Sequence, residues 1–364
     1  MTKIIATVTN DLSFDQRMQR ICSSLSESGF EVVLVGRKRE NSQNIIERLF
    51  EQFRFKCFFE QGKLFYFEYN LRLFIKLLFS SYDIAYAVDL DTLVPVVIAS
   101  KLKGKKIVFD SHEIFSEVPE VEGRKWVKKF WLWIESIFVK HADLLITVND
   151  SLKQYFQNSY QLNFNVIRNV PELNLSLKTE PSTEKFLLYQ GAVNKGRGLD
   201  ILIDTVAKTD YLLKIAGEGD EYSSLKKKVK DAQINNIEFL GYLEPEVLKI
   251  LTKKSYAGFN LLDAASKSYY YSLANKFYDY IAAGIPQISM SFPEYKKFNE
   301  VYEVSILIDD LDQDNILRAI NELYENKELY ERLKKNTSKA IQDNNWGQES
   351  MTLINLIKGV VLNK

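Results

Sequence analysis

The sequence predicts an α/β protein of two doubly wound, Rossmann-like domains, one after the other along the chain. Three observations carry this. Short continuous aliphatic runs alternate with helical patterns twice over, as parallel strands buried on both faces require. The 364 residues are too many for one ordinary core and suit two. Between the two series Pro171–Lys185 (PELNLSLKTEPSTEK) is polar, holds two prolines and has no apolar period, so it reads as a linker.

In the first series Ile4–Val8, Glu31–Val35, Asp83–Val88, Lys106–Asp110, Leu144–Val148 and Asn165–Ile167 are the expected strands. Phe14–Glu27, Thr92–Leu102 and Ser151–Asn158 are helical stretches between them. The second series has strands at Phe186–Gln190, Tyr211–Ala216, Ile237–Leu240, Tyr256–Leu261, Pro286–Met290 and Val304–Ile308. Its helices are Gly198–Ala207, Glu221–Asp231, Pro245–Thr252 and Leu273–Ala283, and the pattern is helical from Gln313 onward. A last helix, Gln348–Leu362, is expected to cross back onto the first domain. The expected division is therefore 1–170 with a returning segment 345–364, a linker at 171–185, and a second domain at 186–344. Ligands of such sheets bind at the C-terminal ends of the strands, so two facing domains imply a crevice between them.

Composition narrows the function. Hydrophobic residues make up 46% and charged residues 26%, ordinary for a globular chain. Lysine plus arginine equals aspartate plus glutamate at 48 each, so no global positive field points to nucleic acid. Cys22 and Cys57 form neither a metal-ligand spacing nor a disulfide framework, which fits a reducing compartment. The N-terminus enters a strand-like segment without a signal-peptide pattern, and no uncharged apolar run spans a bilayer. The expectation is a cytoplasmic protein, soluble or peripheral on the cytoplasmic face of the inner membrane.

The most informative segment is Ser272–Pro286 (SLANKFYDYIAAGIP). Gly284 and Pro286 stop a helix near Ala283, and Ser272, Asn275 or Lys276, and Asp279 recur on one helical face. A helix N-terminus offers free N–H groups and a positive dipole end to a pyrophosphate. Lys276 adds a cation there, and Asp279 a carboxylate for ribose hydroxyls. Taken alone, a surface helix with a Lys276–Asp279 pair explains the segment as well. It has company, however. Tyr189–Asp200 (YQGAVNKGRGLD) is a glycine-rich turn in which Gly191 ends a strand and Lys195 and Arg197 bring cations. Ile215–Asp220 and Asn236–Leu243 are further glycine turns at strand ends on the same rim.

The strings YQG…RGLD, AGEGDE, NIEFLGYL and LANKFYDYIAAGIPQI, in that order and spacing, resemble the donor domain of GT-B glycosyltransferases of glycosyltransferase family 4. The resemblance covers most of the second domain. It implies a retaining, metal-independent transfer from a nucleoside diphosphate sugar. Arg197, Lys276, Gly191 and Ser272 would bind the donor diphosphate, and Asp279 would stand for the family's ribose-binding glutamate. The Gly241–Tyr242–Leu243 loop would hold the base, with UDP among the candidate nucleotides. Two departures touch the donor sugar and phosphates. Tyr271 and Ser272 stand where many members carry a glutamate, and Ala192 where many carry an arginine.

The opening TNDLSFDQRMQRI likewise resembles bacterial members. Ser13 is the expected N-cap with Gln16 three residues on, which places Asp15 and Arg17 in the first helical turn on the N-terminal side of the cleft. His112, in the string DSHE at a strand end, is expected to contact the donor sugar near the reacting bond, with Glu113 or Asp110 orienting it. Asp89-Leu-Asp91 has the form of a metal-binding DxD. It reads instead as a strand-end residue and an N-cap before Thr92, and no metal or other cofactor is expected.

Arg124–Lys140 is helical in pattern, basic at its start and rich in tryptophan. Lys101, Lys103, Lys105 and Lys106 form a second basic cluster, and Phe50–Phe79 adds more basic and aromatic residues. Such a helix reads as an interfacial membrane binder through Trp126 or Trp131, or as a packing helix with a solvated charged end. The expected activity is transfer of a hexosyl or N-acetylhexosaminyl group to a hydroxyl of a glycan or lipid-linked glycan, in bacterial surface polysaccharide synthesis. A sugar-nucleotide epimerase of the same fold and a non-catalytic two-lobed binding protein are the alternatives.

Overall fold

A computed structural model describes residues 1–13, 15–40, 42–118, 121, 123–173 and 184–362. They fall into two compact units, residues 1–169 with 347–364, and residues 170–346. Most of the expected linker lies outside the described residues.

The first unit holds β1 (Lys3–Asp11), β2 (Glu31–Lys38), β3 (Glu51–Lys56), β4 (Ile84–Val88), β5 (Lys106–Ser111), β6 (Leu144–Thr147) and β7 (Asn165–Val166). They form one parallel sheet in the order β3-β2-β1-β4-β5-β6-β7. Its helices are α1 (Gln16–Glu27), α2 (Gly62–Phe79), α3 (Leu90–Lys103), α4 (Lys125–Phe138) and α5 (Asp150–Tyr160). The second unit holds β8 (Phe186–Gln190), β9 (Leu212–Ala216), β10 (Ile237–Gly241), β11 (Ala257–Asn260), β12 (Gln287–Met290) and β13 (Ser305–Ile308), ordered β10-β9-β8-β11-β12-β13. Around it lie α6 (Leu199–Val206), α7 (Tyr222–Asp231), α8 (Pro245–Lys254), α9 (Lys267–Tyr270), α10 (Asn275–Ala283), α11 (Pro293–Tyr302), α12 (Gln313–Glu325) and α13 (Lys327–Asp343). The last helix, α14 (Trp346–Leu362), belongs almost wholly to the first unit, where Glu349 accepts from the Arg168 main-chain N–H at 2.9 Å.

Both sheets are continuous aliphatic runs because both faces are covered. Ile84–Val88 and Phe186–Gln190 are buried at every position. In each sheet the strand order reverses beside the first strand of the unit, between β1 and β4 and between β8 and β11. That switch point is where a doubly wound sheet opens for a ligand at its C-terminal strand ends.

Several local expectations are corrected. Asp15, not Ser13, caps α1, accepting from Met18 N–H at 3.0 Å, while the Ser13 N–H turns back to Asp11. The helix after β4 starts at Leu90 rather than Thr92. Asp89 takes the N-cap position with φ 55° and no side-chain cap, and Asp91 lies within the first turn. The second-unit helix begins at Asn275, so Ser272 precedes it and shares no helical face with Lys276 and Asp279. Strand β3 and helix α2 were not foreseen. In α4, Trp131 is turned inward against Phe115 (4.7 Å between ring centroids) and Tyr66 (5.9 Å), and Trp126 and Trp133 point outward.

Candidate active site

In the first unit the switch point gathers side chains from four segments. Arg17, the second residue of α1, is 4% exposed and forks onto Asp110 of β5, with Nη2 3.1 Å from both carboxylate oxygens. Its Nη1 donates to the Ile167 carbonyl at 3.0 Å, and Tyr86 Oη donates to Asp110 at 2.8 Å. Burial opposes the Asp110 charge, but Arg17 and then His112 outweigh it and hold the carboxyl well below the usual carboxylate range. Arg17 is therefore a buried support beneath Asp110 and His112 and not an exposed cation.

His112 follows directly on β5. Its Nε2 is 3.1 Å from Asp110 Oδ2, its Nδ1 is 3.5 Å from Asp89 Oδ2, and its main-chain N–H donates to Asp89 Oδ1 at 2.8 Å. Arg17 Nε also lies 2.9 Å from His112 Nε2, and one nitrogen cannot both accept that N–H and donate to Asp110. Two flanking carboxylates settle the balance toward the imidazolium, which donates to Asp110. Burial alone would lower the imidazole pKa, but Asp89 and then Asp110 raise it to about 9. Asp110 and Asp89 thus hold the ring, and for Glu113 the contact seen here is its carbonyl accepting from Ser111 Oγ at 3.0 Å. Asp89 was read from the sequence only as a strand-end residue. Asp91 is 8% exposed and accepts from Thr9 Oγ1, and burial and the Asp89 charge raise its pKa to about 7. Neither member of the DxD pair is turned outward as a free carboxylate pair.

In the second unit the rim is built by close backbone approach. Gly217 has φ +140°, and a Cβ there would lie 1.9 Å from the Gly191 carbonyl oxygen. Gly191 N–H donates to Ala216 O at 2.9 Å, and Gly217 N–H donates to Gly241 O at 2.8 Å. This chain of bonds ties the ends of β8, β9 and β10 together. It also commits the Gly241 carbonyl, leaving Tyr242, 46% exposed, and the half-buried Leu243 as the outer part of the expected base loop.

Two cations converge on this rim without a counter-ion among the described residues. Lys276, in the first turn of α10, is 6% exposed; its Nζ sits 3.8 Å from the Tyr189 ring centroid and has no hydrogen-bond partner among the described residues. Burial, and then the charge of Arg197, push its pKa well below the usual lysine value. Arg197 stacks over Tyr269 at 4.6 Å, and its buried Nε also lacks a partner among the described residues. The N-cap of α10 is Ala274, which supplies no side-chain acceptor to the first-turn N–H groups. Burying an amine and a guanidinium nitrogen unsatisfied is costly, and an oxyanion is the group that satisfies both along with the helix N–H groups. Ser272 is committed otherwise, donating to the Tyr269 carbonyl at 2.8 Å. One turn into α10, Asp279 Oδ2 accepts from Gln190 Nε2 at 3.1 Å, and Gln190 Oε1 accepts from Thr252 Oγ1 at 2.6 Å. Gln190 was missed from the sequence; its place as the last residue of β8, beside the glycine turn, was the available signal.

Two doubly wound units of this strand order define a GT-B type α/β protein. The profile described as "Glycosyltransferase Family 4" matches residues 16–172, and "Glycosyl transferases group 1" matches residues 176–340. The chain belongs to the family 4 type of GT-B glycosyltransferases. The D-rhamnosyltransferase WbpZ of Pseudomonas aeruginosa is 27% identical over 115 residues, 30% of each chain. An uncharacterized glycosyltransferase of Methanocaldococcus jannaschii is 27% identical over 117 residues, 32% of this chain and 33% of its own. The matched stretch thus spans about a third of the length of these curated relatives. Among solved structures, sucrose-phosphate synthase from Thermosynechococcus elongatus has a TM-score of 0.83 at 15% identity, covering 100% of both chains. Anabaena HepE in complex with UDP-glucose has a TM-score of 0.79 at 16% identity, covering 99% of this chain and 100% of its own. Among the described residues no helix is long and apolar enough to cross a membrane.

Proposed function

We propose that this glycosyltransferase moves a hexosyl or N-acetylhexosaminyl group, with retention, from a nucleoside diphosphate sugar to a hydroxyl of a glycan or lipid-linked glycan acceptor. The observation that carries the reading is the buried Lys276 amine and the buried Nε of the half-buried Arg197, both without a partner among the described residues, at the N-terminal end of α10. The anomeric C–O bond to the diphosphate breaks, and the departing oxygen takes its electron pair. Arg197, Lys276 and the α10 N–H groups stabilise that charge in the manner of an oxyanion hole. The acceptor oxygen forms the new bond on the same face and passes its proton to the departing diphosphate oxygen. Asp279, aimed by Gln190, takes the ribose hydroxyls, and the Gly241–Leu243 turn the base. His112, held charged by Asp89 and Asp110, is assigned to the donor sugar. The UDP-glucose complex of HepE supports a UDP-sugar donor. Charge neutralisation by side chains and N–H groups implies activity that survives EDTA.

The basic α4 helix supports peripheral work at an anionic membrane on the cytoplasmic face, in surface polysaccharide synthesis. An epimerase reading has its own structural neighbour, a Listeria monocytogenes protein described as a UDP-N-acetylglucosamine 2-epimerase (TM-score 0.66, 12% identity, covering 100% of this chain and 97% of its own). Incubation with a panel of nucleoside diphosphate sugars and acceptors separates the two. Nucleotide released only when acceptor is present supports transfer. Donor isomerised without acceptor would replace it with the epimerase.

A further inference from the structure

Helix α2 is apolar on two opposite sides. Phe65, Tyr69, Leu73 and Leu77 are buried beneath it. At 3.6 residues per turn, Leu64, Phe67, Leu71, Ile75 and Phe79 line the other side, and they are 57%, 70%, 48%, 47% and 88% exposed. A helix apolar all round is ordinarily covered all round. Here a stripe about 23 Å long is bare. Phe58, in the loop before the helix, is 87% exposed and extends it. The ring contact of Tyr66 with Trp131 joins α2 to α4, where Trp126 (85%), Phe130 (52%) and Trp133 (57%) are also exposed. The α2 stripe is by itself more than scattered surface hydrophobics.

We propose that the outer stripe of α2 is a membrane-insertion element, lying in the plane of an anionic lipid surface with its apolar side chains in the acyl boundary. The charges on the two helices choose this occupant. Lys63, Arg72 and Lys76 on α2, and Lys125 and Lys129 on α4, are set against one carboxylate on each helix, while Lys128 pairs with Glu117. Both carboxylates are turned to the protein. Glu68 accepts from the Phe58 and Phe59 N–H groups at 2.8 and 3.1 Å and pairs with Arg72, and Glu135, 2% exposed, accepts from Tyr160. The bare face therefore offers apolar and cationic groups together, the two signals that reversible anchoring to anionic lipid requires. A second copy of the chain would bring the same cations against them.

The proposal rests on the membrane part of the reading above and assigns it a second, apolar component. Co-sedimentation with vesicles of phosphatidylglycerol mixed into phosphatidylcholine, at low and high salt, tests it. The proteins are the wild type, Phe67→Ser with Leu71→Ser, Leu64→Ser with Ile75→Ser, and Lys125→Glu with Lys129→Glu. Far-ultraviolet circular dichroism and melting temperature verify that each is folded. Each α2 variant is expected to lose about tenfold or more in vesicle affinity at both salt concentrations. The α4 charge variant loses chiefly the low-salt part. Wild-type protein that ignores these vesicles at low salt overturns both the membrane reading and this proposal. Wild-type binding retained in full by both folded α2 variants overturns the proposal alone. A wild-type dimer that the α2 variants dissolve, without vesicle binding, assigns the stripe to a second copy and likewise overturns it.

Discussion

Lys276 shows how a single residue can oppose stability and serve binding. Its amine is buried, lacks an acceptor among the described residues and lies near Arg197, so the folded state favours the uncharged form. Lys276→Met keeps the volume and removes the unsatisfied group, so the unliganded protein should gain roughly 1–2 kcal/mol at pH 7. The sign has a pH signature. The unfolded chain holds the lysine proton up to its ordinary pKa while the folded chain releases it at lower pH, so the gain should shrink as pH rises toward that value. The same variant should lose at least about tenfold in affinity for UDP, because one charge-assisted bond to phosphate is gone. Thermal melting with and without UDP measures both, and a variant that melts lower and binds equally well would remove Lys276 from the site. Asp279→Ala should also weaken UDP binding, by roughly 1.5–3 kcal/mol, and lower the melting temperature of the free protein modestly, because the buried Gln190 Nε2 loses its acceptor.

At the scale of elements, the rim turns of the second unit are fixed by close backbone approach. Gly217→Ala would set a methyl group 1.9 Å from the Gly191 carbonyl at φ +140°, so the β8 and β9 ends must separate. Its expected cost is about 2 kcal/mol or more, with loss of nucleotide binding. Gly62→Ala, at φ +73° with nothing within 4 Å of the added carbon, should cost about 1 kcal/mol and leave nucleotide binding alone. Equal effects on binding would mean the rim does not depend on that approach. The elements legible in the sequence were those with a single strong pattern. All six strands of the second sheet were read to within about a residue, because runs such as Phe186–Gln190 are buried on both faces. Strand β3 was missed because EQFRFK is an edge strand, half polar. Helix α2 was missed because two apolar faces leave no single stripe to read. The α1 cap was misplaced since Ser13 and Asp15 are both capping residues and only the path of the chain chooses between them. The grip of Asp89 on His112 depends on a positive φ and on a partner 23 residues away, neither of which local spacing encodes.

Over the whole molecule, the titrating groups of the two units pull stability in opposite directions as pH changes. In the first unit Asp91 and Glu135 are raised by burial, each to about 7, and His112 is raised to about 9 by Asp89 and Asp110 against its burial. Each keeps its proton in the folded state after the unfolded chain has released it. The folded unit therefore binds more protons, and stability falls as pH rises, through the carboxyl groups from about 4 to 7 and through His112 from about 6.5 to 9. Asp110, whose pKa is lowered, matters only in strong acid. In the second unit Lys276 has the reverse sign, because the unfolded chain holds the extra proton and stability rises with pH. The buried tyrosines Tyr189, Tyr280 and Tyr295 enter only above about pH 10. Between pH 6 and 9 the first unit should therefore weaken while the second holds or strengthens. Native-state hydrogen exchange separates them: protection at Val108 in β5 should fall over this range, corrected for intrinsic exchange, and protection at Leu187 in β8 should not. Asp91→Asn should flatten the first trend below pH 7, and Lys276→Met should remove any rise in the second. Parallel movement of both amides in the wild type would show that these groups do not govern the pH response.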